Sequence, residues 1–307
     1  SLSRFYHCYL HLGRLLYNKK MSSIEFLLLI VGLFLYLVSF VAGWLERFAG
    51  KEVLFLSGGL ILQFASAAVR WYGIGHPPVN GTYEAALAGS WFLLLYTTFS
   101  YRSIHGHFRA LLFTTIPIAI FILLYGLNFN TERIPLTISE RSLWVDFHAL
   151  FSWLAFGSYA AAACLAGSYL LVIRGQRSGA SGQGAEEIAN SSLPTPHPSL
   201  DILDDLIFRY INLGFITHTV MFALGSYYSS ILFGTWWQWD PVNSTSLITW
   251  LAYGLAIHMR LFYGWKGRRG ANLAIVAFLT ATISYWGLIY FPPGSTYHVF
   301  DLELKSH

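Results

Sequence analysis

Histidine and tryptophan are the residues of this chain whose types and spacing can support chemistry. Trp236, Trp237 and Trp239 lie close together and are followed at once by Asp240 and Pro241. Indole rings clustered this densely predict a flat aromatic shelf, which suits a large planar ligand. The alternative is an aromatic belt at the end of a membrane helix, where tryptophan is enriched.

Three histidines stand out by position among the eleven in the chain. Imidazole is a common ligand of haem iron, which takes one or two axial side chains. His148 begins a predicted helix and His298 follows the last one, so both are expected on the side of the membrane that carries the tryptophans. Such a pair can supply both axial ligands of one haem, although either histidine alone is more typical of a membrane interface.

His258 lies inside an apolar span, where an ionisable residue is a functional candidate by default. A packing histidine bonded to a neighbouring helix is the alternative. His218 lies in the middle of another predicted helix and is interpreted as a structural residue that bonds between helices. His76 lies in a predicted outer loop and is expected to contact solvent or lipid headgroups.

Two carboxylates near the predicted outer face have more than one interpretation. Glu84 begins a predicted helix, where a carboxylate is favoured as a cap, and a place near the ligand is the alternative. Asp240 can cap the helix that follows it, or it can bond to an external histidine and orient its ring.

Composition identifies an integral membrane protein. Of the 307 residues, 55% are hydrophobic and 11% are charged, whereas soluble domains carry about 25% charged residues. The net charge of +4 does not indicate a nucleic-acid partner, because the basic residues fall between apolar spans. The two cysteines support no disulfide framework, and the sequence has no C-x-x-C-H motif for covalent haem attachment.

The apolar runs predict an all-α, polytopic fold. Each run is close to the ~20 residues that a helix needs to cross a bilayer, and helices satisfy their own backbone groups where no water is present. The eight predicted membrane helices span residues 24–44, 53–72, 83–101, 109–127, 147–173, 205–230, 245–263 and 271–291.

The basic residues predict the orientation of these helices. Most lysines and arginines between the spans fall in the loops 45–52, 102–108, 174–204 and 264–270. Loops rich in lysine and arginine are usually cytoplasmic, so the Trp-rich loop and the C-terminal tail are expected outside.

The chain divides into four predicted regions. A basic extension, interpreted as lying ahead of a more ordinary start at Met21, precedes two membrane parts that are joined by a flexible, Gly- and Ser-rich cytoplasmic linker and an interfacial segment. The regions are 1–20 (extension), 21–173 (five helices), 174–204 (linker and interfacial segment) and 205–307 (three helices, the Trp-rich loop 233–250 and the tail).

The order Trp-Trp-X-Trp-Asp-Pro resembles the WWD signature of the haem-handling membrane proteins of cytochrome c biogenesis. Within that group the chain looks most like the CcsA (ResC) family. The flanks Leu203–Gly214 and Leu247–Arg260 and the segment Pro78–Ala85 are also similar to that family. The resemblance covers roughly residues 25–300 and is strongest over 200–260.

This resemblance implies that the chain carries haem across a membrane and presents it for attachment to an apocytochrome c with a C-x-x-C-H motif. Haem b would be held non-covalently in transit, on the three tryptophans and between His148 and His298 as outer axial ligands. His258 would be one intramembrane ligand, and its counterpart would be a histidine of a CcsB (ResB) partner. The family has a Tyr-Glu pair similar to Tyr83-Glu84, which implies a place for Glu84 near the haem.

The resemblance also implies a location and a degree of activity. The membrane would be the bacterial inner membrane or the thylakoid membrane, with the Trp-rich loop on the periplasmic or lumenal side. The chain would be one component of a cytochrome c synthase and not a self-sufficient enzyme.

The sequence departs from the family pattern directly after the signature. Val242, Asn243, Ser244 and Thr245 replace the usual Lys-Glu-Thr, which removes a charge pair from the loop. This departure keeps a second hypothesis open, in which the chain is a haem-binding structural or regulatory subunit without ligation activity. A third hypothesis is a transporter without haem, but paired Gly/Pro interruptions in matching halves are not evident.

Overall fold

The protein folds as a bundle of α-helices, and the predicted all-α class is confirmed. The computed structural model describes residues 21–45, 50–78, 81–101, 103, 108–129, 131, 142–180 and 198–286. Eight helices occur in this described part: α1 (Ser23–Trp44), α2 (Glu52–Ile74), α3 (Thr82–Ser100), α4 (Phe108–Gly126), α5 (Leu143–Ala180), α6 (Pro198–Phe233), α7 (Pro241–Tyr263) and α8 (Arg268–Trp286).

Four of these helices are long and apolar enough to cross a membrane. They are α1, α2, residues 143–174 of α5 and residues 200–233 of α6. A shorter apolar stretch, Leu111–Gly126, lies in α4. The remaining helices pack against these spans, so the described chain is that of a membrane protein with a polytopic bundle.

The two long helices extend further than the sequence predicts. Helix α5 continues to Ala180 and α6 begins at Pro198, so both ends of the predicted 174–204 linker are helical. The interfacial segment predicted within residues 174–204 is the first part of α6, and it forms one helix with the membrane span.

Helix α5 lies at the centre of the bundle and contacts α3, α4, α6 and α8. It runs antiparallel to α6: Trp144 meets Tyr227 near one end, and the Ser158 hydroxyl donates to the Tyr210 carbonyl at 2.7 Å further along. Gly214 makes this approach possible, because a Cβ there would lie 2.4 Å from the ring of Tyr159. Close helix contact in membranes depends on such small residues.

A buried arginine joins four segments at one end of the bundle. Arg70, at the end of α2, donates to Glu84 at the start of α3 (2.6 Å) and to Glu25 at the start of α1 (3.1 Å). It also donates to the carbonyl of Thr131, just after α4, at 3.2 Å. Arg70, Glu25 and Glu84 are 2%, 0% and 5% exposed. We call these three side chains the Arg70 hub and this end of the bundle the Trp end, because the tryptophan segment lies there.

The opposite end, which we call the basic end, is held by a second ion cluster. Arg260 in α7 donates to Asp204 at 2.7 Å and to Asp205 at 3.1 Å, both in the first turns of α6. Asp204 also accepts the backbone N–H of Gly267 at 2.8 Å, which fixes the turn between α7 and α8. The described parts of the loops 174–204 and 264–270, which the sequence assigns to the cytoplasm, are therefore at this end, away from the Trp segment.

Removing the guanidinium of the Arg70 hub is expected to destabilise the fold. The variant Arg70→Leu leaves two buried carboxylates without their cationic partner, and breaking a buried ion pair in this way costs about 3–5 kcal/mol. The measurement is the free energy of unfolding in detergent micelles, followed by circular dichroism. Lys266→Leu is the control, because Lys266 is exposed at the basic end. Equal stability of the two variants would contradict the structural role of the hub.

Candidate functional site

The tryptophan segment, residues 234–240, connects α6 to α7 and turns back along α6. Gly234 allows the reversal with φ of +72°, a conformation that glycine adopts without steric cost. Its N–H donates to the Ser230 carbonyl at 3.1 Å, and the Ser229 hydroxyl donates to the Thr235 carbonyl at 2.8 Å. The next residues therefore lie beside the last turns of α6 and not above them.

Two of the three indoles contact α6 at different depths. Trp236 lies near Tyr227 with ring centroids 6.4 Å apart, and Trp237 lies deeper, 5.8 Å from Phe222. Trp236 and Trp239 are 64% and 79% exposed. The rings of Trp237 and Trp239 meet edge to face at 76°, so the expectation of one flat shelf is wrong. The segment presents two exposed indole faces on either side of a half-buried one.

Trp237 has a buried donor that the rest of the described chain does not use. Its Nε1 is inaccessible to solvent and has no hydrogen-bond partner. An indole N–H usually finds a partner when it is buried. The indole would have to move for a ligand to use this donor, because the atom is enclosed.

Asp240 is the cap of α7, as one of its two interpretations predicted. Its carboxylate is 4% exposed and accepts the N–H of Asn243 at 2.7 Å, and Pro241 occupies the first position of the helix. The Asn243 amide donates to the Gln238 carbonyl at 3.0 Å. Asn243, one of the neutral residues that follow Pro241, thus supports the turn through two hydrogen bonds.

His148 lies in the second turn of α5 and packs against α6. Its Nδ1 is 3.0 Å from the carbonyl oxygen of Met221. A carbonyl only accepts hydrogen bonds, so Nδ1 carries the proton, and in the neutral imidazole Nε2 then has the lone pair. This is the tautomer that an imidazole needs to bind iron through Nε2, and a fixed Nδ1–H also orients the ring.

Gly225 provides the space for the His148 ring. A Cβ at this position would lie 2.8 Å from both Cε1 and Nδ1 of the imidazole. Real Cβ atoms do not approach so closely, so any side chain here displaces the ring or the helix. One turn away, Trp144 packs on Tyr227 with centroids 4.6 Å apart, and Tyr227 contacts Trp236. His148 and the Trp segment therefore share the last turns of α6.

His218 is a structural residue within the described bundle. It is 0% exposed and lies between Tyr159 of α5 and Ser246 of α7. Its Nδ1 is 3.3 Å from the Tyr159 hydroxyl, and its Nε2 is 2.9 Å from the Ser246 hydroxyl. Both ring nitrogens are engaged, which agrees with the predicted hydrogen-bonding role between helices.

His258 is exposed and lies far from the Trp segment. At ~1.5 Å per residue it is about 26 Å along α7 from Pro241. Its ring stacks on Phe262 with centroids 4.4 Å apart. It belongs to a stripe of exposed side chains whose other members are apolar: Ile248, Leu251, Leu255 and Phe262. Among the described residues, the ring contacts of His258 are with Phe262 and Tyr263 of its own helix.

The remaining predicted residues are Glu84, His298 and His76. Glu84 belongs to the Arg70 hub, where it is a partner of the guanidinium in addition to lying at the start of α3. His298 lies outside the described residues. His76 is half-buried: its Nε2 is enclosed and has no hydrogen-bond partner among the described residues, while Nδ1 lies 2.9 Å from the Pro77 carbonyl.

The structure adds residues that sequence reasoning did not select. Met221 and Gly225 look like ordinary members of an apolar helix, and only the register between α5 and α6 reveals their contact with His148. Arg70 could have been selected from the sequence, because a charge inside an apolar run is a functional or structural candidate.

Replacing His218 with alanine is expected to destabilise the bundle without specific chemistry being lost. The variant removes two hydrogen bonds and leaves a cavity, which costs about 2–5 kcal/mol. Tyr159→Phe removes only one of these bonds and should cost about 1 kcal/mol. Thermal unfolding of both single variants and the double variant measures the coupling. Fully additive effects would show that the His218–Tyr159 contact is not formed.

Comparison with known proteins gives the chain a family. The model of the family described as "Cytochrome C assembly protein" matches residues 79–294, from the start of α3 to beyond α8. A cytochrome c biogenesis protein CcsA from Prochlorococcus marinus (strain MIT 9312) is 30% identical over 234 residues, which cover 71% of this chain and 75% of that protein.

Two algal relatives extend the similarity into the first helices. The CcsA protein of Porphyra purpurea is 27% identical over 282 residues, covering 81% of this chain and 86% of that protein. That of Pyropia yezoensis is 25% identical over 301 residues, covering 87% and 92%. The family match includes α3 to α8 and the Trp segment, which is more than half of the chain. The chain belongs to the cytochrome c assembly protein family.

Proposed function

We propose that this chain transports haem and presents it for attachment to apocytochrome c, as a component of a synthase. The observation that carries the proposal is the contact between His148 Nδ1 and the Met221 carbonyl, which would make Nε2 the nitrogen that binds iron. The same turns of α6 contact Trp236 and Trp237 of the Trp segment. An axial nitrogen beside large apolar rings suits a haem b cargo held without covalent attachment.

The predicted second outer ligand is His298, which follows α8 in the sequence. Two axial imidazoles would hold the iron and fix the plane of the macrocycle. Trp236 and Trp239 expose the apolar surface that the porphyrin would contact. A movement of the Trp237 indole would bring its Nε1 donor, which has no partner among the described residues, to a propionate. Asp240 keeps the segment in register by capping α7.

His258 supports a separate step at the other end of α7. An exposed imidazole in an apolar stripe is costly in lipid unless another molecule contacts it. We infer that a CcsB- or ResB-like membrane protein covers this face and supplies the second imidazole of an intramembrane haem site. Haem would enter there and move to the Trp end. The basic loops predict that the His258 end is cytoplasmic and the Trp end periplasmic or lumenal.

The chain's own contribution is binding and orientation. When haem is bound, it supplies the vinyl groups across which the cysteine thiols of a C-x-x-C-H motif add, sulfur to one carbon and hydrogen to the other, with no net oxidation. His148 would hold the iron so that these groups face the apocytochrome, and the indoles would exclude water from one face. Reactivity of this kind belongs to the cofactor, while the protein sets its position.

Loss of an outer ligand is expected to remove the low-spin haem spectrum. The full chain is purified in detergent together with its CcsB-like partner, and the reduced absorption spectrum is recorded for wild type, His148→Ala and His298→Ala. Each variant should lose most of the haem that wild type retains, because one axial bond is missing. Added imidazole should restore the low-spin spectrum of His148→Ala, which repair of a packing defect would not explain.

His197→Ala, in the predicted linker, is the matched control and should keep its haem. Haem that persists in both outer variants but disappears in His258→Ala would move the site into the membrane. A preparation that holds haem normally but attaches none to a reporter apocytochrome would favour the structural subunit. Absence of haem from every preparation would contradict the haem proposal.

A methyl group at Gly225 should weaken haem binding without unfolding the protein. Gly225→Ala puts a Cβ against the His148 ring and displaces the nitrogen that would bind iron. Changes that misplace a ligand through its supporting residues typically cost 10–100-fold in affinity, so we expect a loss of about 10-fold or more. Haem titration followed by absorbance gives the affinity.

Gly167→Ala is the control for this experiment. The nearest atom to a Cβ at Gly167 is 3.8 Å away, on Thr114, so this variant should bind haem like wild type. If Gly225→Ala also binds like wild type, His148 is not held against α6 as a ligand.

A further inference from the structure

A small cavity lies between α5 and α8 at the basic end of the bundle. Its volume is about 260 Å³, and its lining residues are Leu170, Ile173, Arg174, Arg268 and Asn272. Pockets for drug-sized ligands span about 300–1,000 Å³, so this cavity is sized for a smaller polar group. It is separate from the residues proposed to bind haem.

The polar lining of the cavity favours an anion. Arg174 and Arg268 contribute guanidinium groups, and Asn272 contributes an amide; the described lining residues include no carboxylate. Guanidinium binds phosphate through paired hydrogen bonds, which makes arginine the usual residue for this recognition. Asp204, on a neighbouring element, already accepts from Arg260 and the Gly267 N–H.

An exposed apolar stripe on α8 continues from the cavity toward the Trp end. Val276, Leu279 and Ile283 follow Asn272 at helical spacing and are 58%, 58% and 52% exposed. From Asn272 to Ile283 the stripe is about 16 Å long at ~1.5 Å per residue. The opposite face of α8 is buried and made of small residues: Ala271, Ala274, Ala277 and Ala281.

The cavity and the stripe together have the polarity of a phospholipid. Positively charged donors lie at the basic end, where Lys266 and Arg269 are also exposed, and the apolar stripe runs into the membrane. Basic pockets between membrane helices on the cytoplasmic side commonly bind anionic headgroups. We propose that the cavity binds the phosphate-bearing headgroup of an anionic phospholipid, whose acyl chain lies along Val276, Leu279 and Ile283.

The test is native mass spectrometry of the full chain in detergent. Wild-type protein is mixed with phosphatidylglycerol or with phosphatidylcholine, and bound lipid is counted. We expect wild type to retain phosphatidylglycerol preferentially. Arg268→Gln should weaken its binding about fivefold, the effect of removing one basic residue at a membrane surface. Arg269→Gln is the matched control, because Arg269 is exposed beside Arg268 but does not line the cavity.

A second variant keeps the result interpretable. Asn272→Leu removes the amide from an exposed position without opening a hole in the core, and it should also lower phosphatidylglycerol binding. Circular dichroism establishes that each variant is folded. Equal binding of the two lipids by wild type, or an equal loss in Arg268→Gln and Arg269→Gln, overturns the proposal. Displacement of the lipid by equimolar inorganic phosphate assigns the cavity to a free anion and also overturns it.

Discussion

The close packing of α5 against α6 is the contact on which the Trp end depends. Gly214 allows the Tyr159 ring to lie against the backbone of α6, and Gly225 does the same for His148. With no water in the bilayer core, polar groups between these helices must satisfy one another. The same register therefore buries His218 between two hydroxyls and gives the His148 Nδ1–H its carbonyl partner.

Charge is used differently at the two ends of the bundle. At the Trp end a single guanidinium is buried among two carboxylates and ties together the ends of the first four helices. Burial of an isolated charge is costly, so this cluster fixes how those helices meet. At the basic end the ion pairs are partly exposed and fix a turn, and further basic side chains, Arg268 and Arg269, are exposed at the surface.

The sequence predicts the parts of this structure that depend on local patterns. Apolar runs give the helices, and the Asp240-Pro241 pair gives the start of α7. The contacts between helices cannot be predicted from these local patterns of the sequence. The angle between Trp237 and Trp239 follows from packing on Phe222, so the flat shelf was a wrong expectation. Met221 contacts His148 through its backbone, which no side-chain pattern can reveal.

The length of α6 has a mechanical consequence. Its 36 residues form one helix of about 54 Å, whereas the hydrocarbon core of a bilayer is about 30 Å thick. A helix of this length acts as a rod that reaches both aqueous phases. The turn clamped by Asp204 and the segment that follows Phe233 are then the two ends of one stiff body. If a partner or a lipid tilts α6 at one end, the indoles at the other end move with it, because the helix is continuous between them.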